Sequence, residues 1–307
     1  MTEPASHWIF FLSIVSALLL LDLGVFHPKA AKVNLRDSIR TTIFYVAVAC
    51  AFGIGIYYYK SPVHGSEYFT GFLIEKALAL DNIFVISLVF SYFNIELKLQ
   101  HRVLFWGILG VIILRGIMIY MGAALINSFS WTLYIFGAFL IITGIKLLFT
   151  KAHKIEIKDN IVLKFLQSKF NITEDVSSEK FFVKKKGVWY ITKLFLALCI
   201  IEFMDIIFAI DSIPAIFAIT DDLYIVYTSN IFAILGLRAL YFALADMVER
   251  FHYLKHALSI ILVFIGAKIF VLHIWEIPIF VTLFLTIGII GAGVAASLLL
   301  PKPKLRN

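Results

Sequence analysis

Charge is scarce in this sequence. Only 15% of its 307 residues are Asp, Glu, Lys or Arg, where a soluble domain carries about 25%. Because 61% of the residues are hydrophobic, this shortfall excludes an ordinary water-soluble fold, which cannot bury so large an apolar fraction. Cysteine is nearly absent. Cys50 and Cys199 fall in separate apolar runs, which excludes a disulfide framework or a CxxC metal motif, and both read as small core residues. Histidine is missing from the middle of the apolar runs, since all 8 lie in loops or near run ends. The run at residues 7–26 has no basic segment ahead of it and no small-x-small cleavage site, so it reads as a retained span and not a signal peptide.

What the sequence does have is long apolar blocks and a mean hydropathy of +0.94, each block able to cross about 30 Å of hydrocarbon. The expected fold is all-α, a polytopic membrane helix bundle of about nine transmembrane helices whose partner is the lipid bilayer. The spans are expected near residues 7–26, 39–59, 69–92, 103–126, 131–149, 193–219, 228–247, 256–273 and 278–299. Residues 1–307 read as a single transmembrane domain with one hydrophilic loop at about 150–192.

The net charge of +7 does not point to nucleic acid, because the basic residues sit in short loops on one side of the spans. That side carries Lys29, Lys32, Arg36 and Arg40, then Lys98 and Arg102, then Arg250 and Lys255, and finally Lys302, Lys304 and Arg306. It also holds the 150–192 loop with Lys184, Lys185 and Lys186. The opposite side has Lys60 alone, with Glu67, Asp221, Asp222 and Glu276. The positive-inside rule then puts the N-terminus outside and the C-terminus in the cytoplasm. The loop reads as a solvated linker drawn to the inner leaflet, or as one holding a short amphipathic helix near residues 160–170.

Two spans share a pattern. The third reads Glu75-Lys76-Ala77-Leu78-Ala79-Leu80-Asp81-Asn82-Ile83, and the sixth reads Asp205-Ile206-Ile207-Phe208-Ala209-Ile210-Asp211-Ser212-Ile213. Leu114-Arg115 is answered by Leu237-Arg238, and Gly144-Ile145-Lys146 by Gly266-Ala267-Lys268. Two three-span units at about 69–149 and 193–273 follow, inverted because three is odd. Secondary transporters are built this way, with the substrate near the midplane between the units.

The spans also hold ionisable residues, each costing roughly 2.5–3.5 kcal/mol at the bilayer centre. The acids are Glu75, Asp81, Glu202, Asp205 and Asp211, and the candidate charge partners are Lys76, Arg115, Arg238 and Lys268. If Arg115 and Arg238 neutralise one acid each, negative charge is left over, and a cation site uses it. Pro214 removes a backbone hydrogen bond and crowds the Ile210 carbonyl, so a kinked or unwound turn is expected around Asp211. With Asn82 and Ser212 the ligand set is oxygen-rich, which suits Mg²⁺, Ca²⁺ or Mn²⁺ over zinc or copper. Met204, like Cys199, flanks Glu202 and is either a soft ligand favouring Mn²⁺ or a packing residue.

The same residues carry a family resemblance. Glu75 to Asn82, Glu202-Phe203-Met204-Asp205 through Ala215, Thr228-Ser229-Asn230 through Phe242, and Leu21-Asp22-Leu23-Gly24-Val25-Phe26 resemble the signatures of the TerC family. The resemblance implies a bacterial inner-membrane protein of the tellurium-resistance, alkaline-induced (Alx) type, whose members are linked to Mn²⁺ export and to metallating exported enzymes. It places the family's acidic positions on Glu75, Asp81, Glu202, Asp205 and Asp211. Tellurite is an oxyanion that buried carboxylates repel, so the cation reading is preferred to the one in the family name.

The expected function is divalent cation efflux, Mn²⁺ first with Ca²⁺ or Mg²⁺ open, by alternating access and with protons as a possible coupling ion. No bound cofactor and no enzymatic activity are expected. The alternative is a non-transporting membrane factor that helps assemble or metallate exported proteins, docking through the loop around Lys184–Lys186. An aspartyl intramembrane protease ranks third, because the repeat and the arginine partners fit transport better.

Overall fold

A computed structural model describes residues 3–22, 35–129, 131–149, 160–173, 180–185, 187–244, 253–271 and 277–299. The elements are α1 (Ala5–Leu21), α2 (Leu35–Tyr59), α3 (Pro62–Tyr92), α4 (Leu97–Ser128) and α5 (Thr132–Phe149). Next come α6 (Ile161–Lys169), β1 (Ile172–Thr173), β2 (Phe182–Lys185) and β3 (Val188–Thr192). The chain ends with α7 (Lys193–Phe217), α8 (Leu223–Ile234), α9 (Leu237–Leu244), α10 (Leu254–Val271) and α11 (Ile279–Leu299). The protein is an all-α membrane bundle with one small sheet.

Among the described residues, 6 stretches are long and apolar enough to cross a bilayer, counting α8 and α9 together as Leu223–Ala243. The helix α1 is apolar but shorter, at 17 residues. The helices α3 and α7 are long, at 31 and 25 residues, and carry the interior acids within their apolar runs. Side chains such as Ile113, Ile117, Tyr120, Ile142 and Phe284 are exposed on the outside of the bundle, where lipid takes the place of a protein core.

Helix starts are set locally. Ser61 accepts the His64 N–H at 3.2 Å ahead of Pro62, which has no N–H to satisfy. Asp222 opens α8 by accepting the Tyr224 and Ile225 N–H groups at 2.9 and 3.3 Å.

The helices pack in three principal pairs: α3 against α8, α4 against α7, and α5 against α10. Glycine lets the last pair approach closely. A Cβ on Gly266 would lie 2.6 Å from the Gly137 carbonyl oxygen, and one on Gly144 would lie 2.9 Å from that of Ser259. Ser259 closes the contact by donating to the Gly144 carbonyl. Such small-residue crossings replace the hydrophobic driving force that lipid removes.

Two expectations change here. The unwound turn expected at Asp211 is absent: α7 is helical from Lys193 to Phe217 with Pro214 inside it. Pro214 sits in the last turn, and its own carbonyl still accepts the Ala218 N–H at 3.0 Å, so little of the ladder is lost. The break falls one span later, at Leu235 and Gly236 between α8 and α9. Gly236 has φ +81°, and a Cβ there would meet Tyr45 at 2.8 Å, so only glycine suits the position.

The loop is also more than a linker. Helix α6 is capped by Asn160, whose side chain accepts the Val162 N–H at 2.9 Å. Its Leu163 and Leu166 join a buried cluster with Phe90, Phe93, Ile95 and Leu99 at the adjoining ends of α3 and α4. Strand β3 is central in the sheet, parallel to β1 and antiparallel to β2.

Candidate functional site

Sequence position brings Glu75 to the middle of α3, Arg115 to α4 and Asp205 to α7. Packing then collects them around one guanidinium. Arg115 is 1% exposed and uses all three of its nitrogens. Nε donates to Asp205 Oδ2 at 3.1 Å and Nη2 to Asp205 Oδ1 at 3.0 Å. Nη1 donates to Glu75, to Ser212 Oγ at 3.2 Å and to Asn230 Oδ1 at 2.5 Å. Asn82 Nδ2 reaches Asp205 Oδ1 at 3.3 Å, and Asn230 Nδ2 reaches Glu75 Oε2 at 3.4 Å.

The expectation of one acid per arginine holds for Arg238 and is corrected for Arg115. Arg115 holds two carboxylates, one from each half of the chain. Arg238 instead pairs with Asp22 at the end of α1, donating to its carboxylate and, at 3.0 Å, to its backbone carbonyl. Lys76 is not an acid's partner in this arrangement. Its ammonium donates to the Ala233 carbonyl at 2.9 Å, an acceptor freed by the α8–α9 break. A charge that reaches an orphaned helix carbonyl caps it as a backbone N–H would. Lys268 is buried in α10 and hydrogen-bonds to none of the described residues.

Of the other sequence candidates, Asn82 and Ser212 join the cluster and Glu202 does not. Both Glu202 oxygens are buried and have no hydrogen-bond partner among the described residues. Met204 packs against the apolar cluster that includes Phe90 and Leu194. The side chains of Asp81 and Asp211 lie outside the described residues. Sequence reasoning missed Asn230, which is 0% exposed. The signal was the polar run Thr228-Ser229-Asn230 inside an apolar span.

A cavity of about 110 Å³ adjoins the cluster, lined by Glu75, Asn82, Arg115, Ser212, Thr143 and Phe208 among others. Asn82 Oδ1 is buried with no hydrogen-bond partner among the described residues, so the pocket retains an oxygen acceptor that none of them uses. Among the described residues no three His, Cys, Asp or Glu side chains converge as metal ligands. The arrangement is a closed ion-pair network with two carboxylates against one guanidinium.

A second polar group lies at the opposite end from the α6 loop. Lys60, between α2 and α3, bridges Glu3 and Asp222. His7 bonds Glu3 at 2.6 Å, and Thr220 donates to Glu67 at 2.9 Å. Glu3, Lys60 and Asp222 border a cavity of about 930 Å³ lined also by His64, Asn127 and Asp221. Burial pushes the Glu3 carboxyl up, but hydrogen bonds from Lys60 and His7 outweigh it and hold it below its ordinary value. Burial likewise pulls the Lys60 ammonium down, and its bonds to Asp222 and Glu3 reverse that and raise it.

Residues 60–305 match the model of the integral membrane protein TerC family. An "uncharacterized membrane protein" of Rickettsia felis is 52% identical over 292 residues, covering 95% of this chain and 97% of the relative. A protein of Photorhabdus laumondii, named "Putative membrane-bound redox modulator Alx", is 44% identical over 281 residues, covering 89% of this chain and 88% of its own length. A Salmonella typhi protein of the same name is 42% identical over 292 residues, covering 92% of this chain and 91% of the relative. No solved structure matches. With its acids, arginines and apolar spans in one fold, the chain belongs to the TerC family of integral membrane proteins.

Proposed function

We propose that the protein exports a divalent cation, Mn²⁺ before Ca²⁺ or Mg²⁺, across the bacterial inner membrane by alternating access. The N-terminus lies outside and the C-terminus in the cytoplasm in this reading. The observation that carries it is the cluster of Glu75, Asp205, Asn82, Ser212 and Asn230 around Arg115, oxygen-only and net negative. Carboxylate, amide and hydroxyl oxygens are the donors that hard divalent ions take. In the closed state Arg115 acts as a tethered counter-ion, and an entering cation displaces it from one carboxylate. Asp81 and Asp211, six residues along the same helices from Glu75 and Asp205, belong to the proposed ligand set by sequence position alone.

The helix pairing supports two inverted units. In the notation of the repeat, first packs on second (α3 on α8), second on first (α4 on α7) and third on third (α5 on α10). A two-fold axis in the membrane plane demands this exchange. Two close α5–α10 approaches, Gly137 with Gly266 and Gly144 with Ser259, also interchange when each residue is replaced by its repeat counterpart. Transporters with such symmetry place substrate between the halves and often use a broken helix there, as at the α8–α9 break.

The test is manganese accumulation in cells expressing Glu75→Gln, Asp81→Asn, Asp205→Asn or Asp211→Asn. Each is expected to retain more Mn²⁺ than wild type at equal protein level. Wild-type export by all four would remove this reading.

A second reading, a membrane factor that docks exported proteins or redox partners, is favoured by the folded loop. There Phe182, Trp189 and Lys184 are exposed on β2 and β3, with Lys184 over the Trp189 ring. Substituting Lys184 and Trp189 together separates the readings: export survives if the membrane core suffices and fails if docking is the function.

A further inference from the structure

Glu202 is the acid that the arginine-centred cluster leaves out. It lies on α7, three residues before Asp205, and its carboxyl is inserted into a notch on α4. A Cβ on Gly110 would lie 2.6 Å from Glu202 Cδ, and one on Gly107 would lie 3.8 Å from Oε1. Gly110 thus has no side chain because the carboxyl fills that space. Both carboxyl oxygens are sealed from solvent and accept no hydrogen bond from any described residue.

Among the described residues no cation hydrogen-bonds to Glu202 in this notch, and Arg238 of α9, which lines the cavity beside Gly107 and Asp205, is turned to Asp22. From α4 come Gly107 and Gly110, and Arg115 further along is turned to Asp205 and Glu75. From α7 come Cys199, a free thiol, and Asp205, already held by Arg115. On α3, Lys76 is committed to the Ala233 carbonyl, and neither Lys146 of α5 nor Lys268 of α10 bonds to Glu202. An ionised carboxylate held this way has neither water nor a counter-charge to offset its desolvation. Groups so placed take up a proton instead.

We propose that Glu202 is a proton-binding site separate from the cation cluster, taking up its proton before α4 closes over it, holding that proton while covered and giving it up when α4 and α7 part. The step is simple in its balance. One proton passes from hydronium to one carboxylate oxygen, breaking one hydronium O–H bond and leaving water, and on opening the same proton returns to water. Glu202 thereby carries a proton through the cycle in place of ligating the cation. The coupling to transport rests on the export reading above, but the proton site itself does not.

The experiment uses the full-length purified protein and the apolar reagent dicyclohexylcarbodiimide, which adds to protonated carboxyls inside membranes. Mass spectrometry is expected to find the adduct on Glu202, falling about tenfold for each pH unit above its ionisation. The adduct is absent in Glu202→Gln, an isostere of the protonated acid that needs no refolding of the notch, and unchanged in Glu75→Gln. Infrared spectra provide the second measurement, a protonated-carboxyl band in wild type that disappears in Glu202→Gln. A Glu202 that gives neither adduct nor band at acid pH overturns the proposal, as does an adduct indifferent to pH. If adduct and band appear while wild-type liposomes move no Mn²⁺, Ca²⁺ or Mg²⁺, the proton site stands and the export reading falls.

Discussion

Arg115 on α4 and Asp205 on α7 meet as a forked pair, Nε to Oδ2 at 3.1 Å and Nη2 to Oδ1 at 3.0 Å. The planar guanidinium matches a carboxylate in this way and keeps Nη1 for Glu75, Ser212 and Asn230. The two helices run side by side, so this pair also fixes their register.

Removing the guanidinium strands two buried carboxylates. Arg115→Met is expected to lower stability by about 3–5 kcal/mol, read as thermal unfolding of the protein in detergent. Arg115→Lys keeps the charge but not the fork, and should recover only part of the loss. A wild-type melting curve for Arg115→Met would show that the pair is not structural.

The Gly110 notch makes a coupled prediction. Gly110→Ala forces the Glu202 carboxyl out of its place and should cost about 1–3 kcal/mol. In Glu202→Ala the space is vacant, so adding Gly110→Ala there should cost little. Additive losses in the double mutant would mean that the two residues do not share the notch.

At the α5–α10 crossing, Gly266→Ala sets a methyl 2.6 Å from the Gly137 oxygen. The helices must separate, at a cost of roughly 1–3 kcal/mol. Gly288→Ala and Gly291→Ala in α11 meet nothing within 4 Å and serve as controls that should melt no earlier than wild type.

The Lys60 bridge has a pH window. Glu3 is held below its ordinary value of 4.5, so its contribution is complete above that value and is lost as pH falls through the lower folded one. Lys60 is raised above 10.5, so its contribution is complete below that value and is lost as pH rises through the higher folded one. The melting difference between wild type and Lys60→Met should therefore be flat between those limits and shrink beyond either. A difference that changes across neutral pH would point to a histidine, His7 or His64, as the controlling group.

Much of this was legible without coordinates. Long apolar runs interrupted by Glu75, Asp81, Glu202, Asp205 and Asp211 leave few choices, because an unpaired backbone cannot cross hydrocarbon and a helix pairs its own. The acids, Asn82, Ser212 and the arginines could be named because a charge in an apolar run is costly enough to need a reason. The helix near residues 160–170 was only half legible, because the mixed composition of that loop fitted a solvated linker as well as a short amphipathic helix.

Partner choice was not legible. Sequence spacing cannot tell that one arginine takes Glu75 and Asp205 while the other takes Asp22, since those contacts join residues 40, 90 and 216 positions apart. Proline in α7 pointed to a break, yet the chain breaks at Gly236, where Tyr45 leaves no space for a side chain and the backbone needs a positive φ. The acids resembled one another as letters. Only packing separates Glu75 and Asp205, which share a guanidinium, from Glu202, which faces two glycines. The sequence alone determined that negative charge lies within the membrane spans; the tertiary structure decided which of it is neutralised, because neutralisation depends on which helix faces come together.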